Sequence, residues 1–170
     1  MIRSTLSLAT LAIGMTMSGQ ADAVTVNRDY LTHGTASCQA ALPVFDGKIR
    51  KRPKAIANEG TSSAFITCDF DSINNGGTGF TDIGIFFINR SGVAKTVNCT
   101  FVDGIYDVAF SPSLVKSVVM PTTTAPVSLG VTAATDNAGN NFTAPAISCE
   151  IPAGVEIAAV RGVYPEEVGA

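Results

Sequence analysis

Four cysteines, one histidine and a scatter of carboxylates are the residues of this chain whose types could do chemistry. Cys38, Cys68, Cys99 and Cys149 are widely spaced with no CxxC pair, so the paired knuckles of a structural zinc site are absent. Cysteines spaced in this way form disulfides wherever the compartment oxidises thiols. Four of them permit three pairings, among which sequence does not choose. The favoured pairs are Cys38 with Cys68, tying the N-terminal segment to the body of the fold, and Cys99 with Cys149, joining two strands distant in the chain; together they are expected to clamp stacked sheets. In the loop-entropy description each closure contributes about 3 to 4 kcal/mol.

His33 lies in Thr32-His33-Gly34-Thr35, within what reads as an irregular N-terminal arm, a poor frame for a Ser-His-Asp triad. No G-x-S-x-G elbow, H-E-x-x-H helix or phosphate-binding glycine loop followed by Lys occurs, so no catalytic residue and no cofactor is assigned. A glycosidase needs only two carboxylates set across a cleft. The candidates are Glu59, Asp69, Asp71, Asp82, Asp103, Asp107 and Glu150, with Asp69 or Asp71 facing Asp82 or Asp103 as the arrangement to look for. Asp69-x-Asp71 followed by Asn74 and Asn75, and the Asp136–Asn141 turn, are rich enough in oxygen to consider calcium, but neither follows the EF-hand order and Asp, Asn and Gly are what turns need anyway. No metal is assigned. Lys48, Arg50, Lys51, Arg52 and Lys54 crowd into one short segment ending around Pro53, read as a solvated loop and a contact for anionic polymer or headgroups. Three glycosylation triplets begin at Asn89, Asn98 and Asn141.

The elements that must position these groups are strands. Ser63 to Asp71 puts Ala64, Ile66, Cys68 and Phe70 on one face, and Ala94 to Val102 likewise aligns Val97, Cys99 and Phe101. Thr81 to Asn89 is apolar on both faces, as an interior strand is. Further strands are expected at Gly104–Phe110, Leu114–Met120, Pro126–Ala133, Phe142–Ile151 and Val155–Tyr164, and another near Ala40–Phe45, each bounded by Pro, Gly or Asn-rich turn signals. Short strands at regular spacing with no helical periodicity between them predict an all-β fold, an antiparallel two-sheet sandwich of jelly-roll or immunoglobulin-like type.

Arg3, the apolar stretch Leu6–Met17 and Ala21-Asp22-Ala23 read as a signal peptide cleaved after Ala23, leaving one domain over 24–170 in the periplasm or the medium. That apolar stretch falls short of the roughly 20 residues a spanning helix needs. Loss of Arg3 together with Asp22 leaves the net charge at −3, which gives no general attraction to nucleic acid.

The cysteine contexts Ala36-Ser37-Cys38-Gln39, Ile66-Thr67-Cys68, Val97-Asn98-Cys99-Thr100 and Ile147-Ser148-Cys149-Glu150-Ile151-Pro152 resemble a loose group of small exported proteobacterial proteins with a Cys-containing arm and a final strand reading x-Cys-x-Ile/Leu-Pro. Asp69 stands where that group has Pro after its second cysteine. The resemblance implies export, disulfides and a β-sandwich, and carries over no catalytic residue. The function expected is a non-catalytic binding or structural role at the cell envelope or outside the cell, with envelope polysaccharide or another exported protein as partner; the competing expectation is a secreted carbohydrate-active hydrolase using a carboxylate pair.

Overall fold

The computed structural model describes residues 23–71, 79–104 and 113–169. The expected signal segment up to residue 22, the Asn74–Thr78 part of the glycine-rich loop with its calcium reading, Asp107 and the strand expected after Gly104 lie outside the described residues.

The fold is an all-β antiparallel sandwich, with β1 (Val24–His33), β2 (Cys38–Ala40), β3 (Ile49–Arg52), β4 (Ala55–Asn58), β5 (Ala64–Asp69), β6 (Asp82–Asn89), β7 (Lys95–Val102), β8 (Ser113–Met120), β9 (Val127–Thr132), β10 (Ala146–Ile151) and β11 (Val155–Val168). Two single helical turns, α1 (Gly34–Ser37) and α2 (Ala133–Asp136), sit between strands. The pairing is nested: β7 with β8, β6 with β9, β5 with β10, β4 with β11. A long hairpin of this kind rolls up when β10 also meets β7 and β11 also meets β6. The result is a jelly roll: β3-β4-β11-β6-β9 with β1 added beside β11 forms a six-stranded sheet, stacked on the five-stranded sheet β2-β5-β10-β7-β8.

Alternation along the strands builds the core. Ile83, Ile85, Phe87, Ile157 and Val160 from one sheet meet Ile66, Val97, Phe101, Ile147 and Ile151 from the other. Phe80 and Phe142, paired through an isolated bridge, close one end. Phe80 packs against Gly162, where a Cβ would stand 2.3 Å from its ring, so no larger residue fits there.

Three expectations fail in the fold. Val24–His33 is not an irregular arm but the strand β1, paired with β11 along its whole length from Val24↔Val168 to His33↔Ala159. Its Val, Tyr and Thr content suits a strand, but its partner lies at the opposite end of the chain. The basic segment is not a loop: it forms β3 and the tight turn into β4. Because β3 is an edge strand, consecutive charges there discourage another chain from adding to the sheet.

Cys38 is bonded to Cys68 and Cys99 to Cys149. The bridged residues are directly opposed on neighbouring strands, β2 with β5 and β7 with β10. Both bridges therefore lie within the five-stranded sheet, and neither clamps one sheet to the other as expected.

Between the sheets that work falls to two buried asparagines. Asn58, ending β4, donates from Nδ2 to Ser62 O (2.9 Å) and Ile151 O (2.8 Å) and accepts from Gly60 N–H at Oδ1 (3.0 Å). Asn89, ending β6, repeats the pattern: Nδ2 donates to Val93 O and Pro121 O (both 2.7 Å), while Oδ1 accepts from Ser91 N–H (2.9 Å). Each closes its own turn and also grips a carbonyl at the end of a strand in the opposite sheet. Asn89 is fully buried, so its glycosylation triplet is inaccessible in the folded protein.

At the β8–β9 side, Lys116 reaches from β8 to Asp136 Oδ1 (2.7 Å), and Asp136 Oδ2 accepts from Thr132 N–H (2.9 Å) and Thr135 Oγ1 (3.1 Å). The bond from Lys116, followed by that from Thr132, holds the Asp136 carboxyl below the usual carboxylate range. With this carboxylate already engaged, the oxygen-rich turn that follows has lost its one charged ligand for calcium.

Two outcomes are expected. Asn89→Ala, or Asn58→Ala, leaves buried carbonyls and an N–H without partners and lowers unfolding free energy by about 3 kcal/mol in urea titration. Because the folded-state pKa of Asp136 is depressed, its contribution is complete above the ordinary carboxylate value and lost as pH falls through the folded value. The stability gap between wild type and Asp136→Asn should therefore be constant near neutrality and close below about pH 4.

Candidate binding face on the six-stranded sheet

The outer face of the six-stranded sheet carries the concavity with the clearest design. Along β6, Asp82, Gly84, Phe86 and Ile88 alternate outward, each partly exposed between buried neighbours. On β9, Thr132, Gly130 and Ser128 stand opposite Asp82, Gly84 and Phe86. On β11 the register shifts between Ile157 and Ala159, so that Ala159, Arg161 and Val163 oppose Phe86, Gly84 and Asp82. That bulge decides the site. Strict alternation from Ile157 would send Arg161 into the core, whereas one extra residue turns it outward while Ile157 and Val160 both stay buried.

Gly84 and Gly130 face each other at the centre of this surface. Glycine weakens a strand interior and marks places where something approaches the backbone closely. Here the pair leaves a trough of about 170 Å³ floored by main chain. Phe86 and Val163 form its apolar margin, and Asp82, Ser128, Thr132 and Arg161 supply polar groups. The Asp82 carboxylate accepts from Thr81 Oγ1 at 2.8 Å, and Arg161 is fixed by Asp29 of β1, whose Oδ1 accepts from its Nε at 2.9 Å. Both groups are therefore oriented before any ligand arrives.

A wider cleft of about 510 Å³ opens farther along the same face, lined by Arg52, Asn58, Glu59, Arg90 and Glu156. Glu156, opposite Ala57 and Ile88, is almost buried and accepts at Oε1 from Arg90 Nε (2.9 Å) and Nη2 (2.8 Å). The Glu156 carboxylate raises the Arg90 pKa above its ordinary value. Arg52 pairs with Glu59 at the rim.

The basic cluster is divided by its strand. Arg50 and Arg52 share the outer face; Lys51 points the other way and donates to Thr35 O (3.0 Å), and Lys48 donates to Ser62 Oγ (2.7 Å) while lying over the Phe45 ring. Lys54 is exposed in the turn. The five residues thus form no single patch.

The carboxylate pairs sought for a hydrolase are not brought together. Asp103 is buried and accepts from the N–H groups of Thr143 (2.8 Å) and Ala144 (2.9 Å), a turn-holding role. Asp82 lies on the outer face of the six-stranded sheet. Asp69 and Asp71 line a separate polar notch with Thr32, Gln39 and Lys51 at the open edge of the sandwich. Glu59 is held by Arg52, and Glu150 lies beside Asn98 on the outer face of the other sheet. His33 is exposed at the end of β1. Sequence reading missed the trough, although two glycines inside expected strands were a signal that could have been followed.

No protein-family model matches this sequence, and no curated protein matches it. Among solved structures the chain is similar to a β-(1,4)-mannanase carrying a carbohydrate-binding module from Podospora anserina, at 12% identity and TM-score 0.44 over 84% of this chain and 28% of that one. It is also similar to an exo-β-1,3-galactanase from Phanerochaete chrysosporium, at 13% identity and TM-score 0.45 over 81% and 29%. A carbohydrate-binding module in complex with β-1,4-galactotriose gives 10% identity and TM-score 0.40 over 82% and 88%. This chain spans less than a third of the length of the first two.

Proposed function

We propose that this protein is a non-catalytic binding module that holds an uncharged, polyhydroxylated chain, a neutral glycan, across the outer face of its six-stranded sheet. The observation that carries the reading is the opposed pair Gly84 and Gly130, which bares the backbone in the middle of that face. A sugar ring has an apolar C–H face and a rim of hydroxyls. The trough matches this with the Phe86 ring on one side and the oriented Asp82 and Arg161 groups on the other. Charge on the face supports a neutral ligand: Arg50, Arg52, Arg90 and Arg161 are offset by Asp29, Glu59, Asp82 and Glu156, most of them in contact pairs. Two buried disulfides suit an oxidising compartment, so glycans of the envelope or the medium are the ones such a module would meet.

Affinity electrophoresis through gels containing neutral polysaccharides of different linkage, with an anionic polysaccharide in parallel, tests this. Phe86→Ala and Gly84→Val are the diagnostic variants. The second fills the trough, its Cβ standing a tight 3.3 Å from Leu129 O, so it should bind less while remaining folded, which a cooperative melting transition checks. Retardation by a neutral polysaccharide, weakened at least about tenfold in both variants, is expected. Retardation by the anionic polymer alone, or equal retardation of wild type and both variants, overturns the reading.

A further inference from the structure

The sandwich protects its sheet edges unequally. β3 carries Arg50, Lys51 and Arg52; β2 is only three residues long; β9 is broken by Gly130. β8 keeps only one such device, a single lysine. It runs eight residues, Ser113 to Met120, without proline, glycine or bulge, and among the described residues it pairs only with β7. Its outward row is Ser113, Val115, Ser117 and Val119, all exposed, with Val115 at 74% and Val119 at 68% relative exposure. Its one charge, Lys116, is turned away from that row and engaged by Asp136.

We propose that β8 pairs antiparallel with β8 of a second copy of this chain, joining two five-stranded sheets into one continuous sheet. The occupant follows from self-complementarity. With Ser117 on the two-fold axis, Val115 of each copy lies opposite Val119 of the other, so four exposed valines form one apolar cluster on the outer face. On the opposite side Leu114 meets Met120 and Lys116 meets Val118, so no like charges stand directly opposed. The alternate N–H and C=O groups that β8 turns away from β7 gain partners in the same step. This association is independent of the glycan-binding reading, since β8 belongs to the other sheet.

Sedimentation equilibrium on the exported, disulfide-intact protein tests the assignment. Wild type should show a reversible monomer–dimer equilibrium within roughly the 10 to 500 µM range, as suits a small interface. Val115→Lys with Val119→Lys places lysines opposite lysines and should give monomer with an unchanged melting temperature, because both side chains are exposed. Val115→Lys with Val119→Glu places each lysine opposite a glutamate of the other copy and should restore the dimer. A wild type that stays monomeric throughout that range overturns the proposal. So does a Lys/Glu variant as monomeric as the Lys/Lys variant, or a Lys/Lys variant that still dimerises, since both place any association elsewhere.

Discussion

The pairing of β7 with β10 is the contact on which the architecture turns. All other pairings in the five-stranded sheet, apart from the short edge strand β2, belong to the nested hairpin. Only β10 on β7, with β11 on β6 behind it, converts that hairpin into a closed roll. Cys99–Cys149 lies in this contact, between residues directly opposed across the ladder. A covalent link there holds the register as well as the closure, because a slip of one residue would turn one sulfur out of the core while its partner stayed inside. Cys38–Cys68 does the same for β2, a strand too short to hold its place by hydrogen bonds alone.

Since both bridges lie in one sheet, the second sheet depends on packing and on polar contacts at its corners. Asn58 and Asn89 stand where β4 and β6 end and their turns begin, and each carries a hydrogen bond to the far sheet. The low dielectric around them strengthens these bonds and makes their loss costly. Lys116 and Asp136 tie the sheets at the remaining edge, in a more solvated setting. The sandwich is thus held by sulfur within one layer and by amide and carboxylate contacts between layers.

The candidate binding face arises from irregularities in this regular frame. The bulge in β11 brings Arg161 outward, and β1 then supplies Asp29 to orient it. Two glycines withdraw side chains at the one place where β6 and β9 would otherwise fill the surface. Of the arginines in the basic segment, Arg52 ends beside the Glu59 carboxylate and Arg50 donates to main-chain carbonyls, while Arg90 on the same face is held by Glu156, so a cluster that looks strongly cationic in the chain contributes to a face of balanced charge.

The sequence by itself determined the all-β sandwich and most strand positions, because inward residues recur with period two between Gly, Pro and Asn punctuation, and that pattern is local. Ala64 to Asp69, Lys95 to Val102 and Ser113 to Met120 lie within a residue or two of where alternation puts them. It left open whatever depends on partners remote in the chain. Val24–His33 read as irregular because its ladder partner comes last in the sequence, and the basic strand read as a loop because charge hides an edge strand. Only the tertiary structure set both disulfides within one sheet, turned Arg161 outward through a single extra residue, and laid Gly84 against Gly130. Register between strands is a non-local quantity, and one residue of shift exchanges the buried and the exposed face.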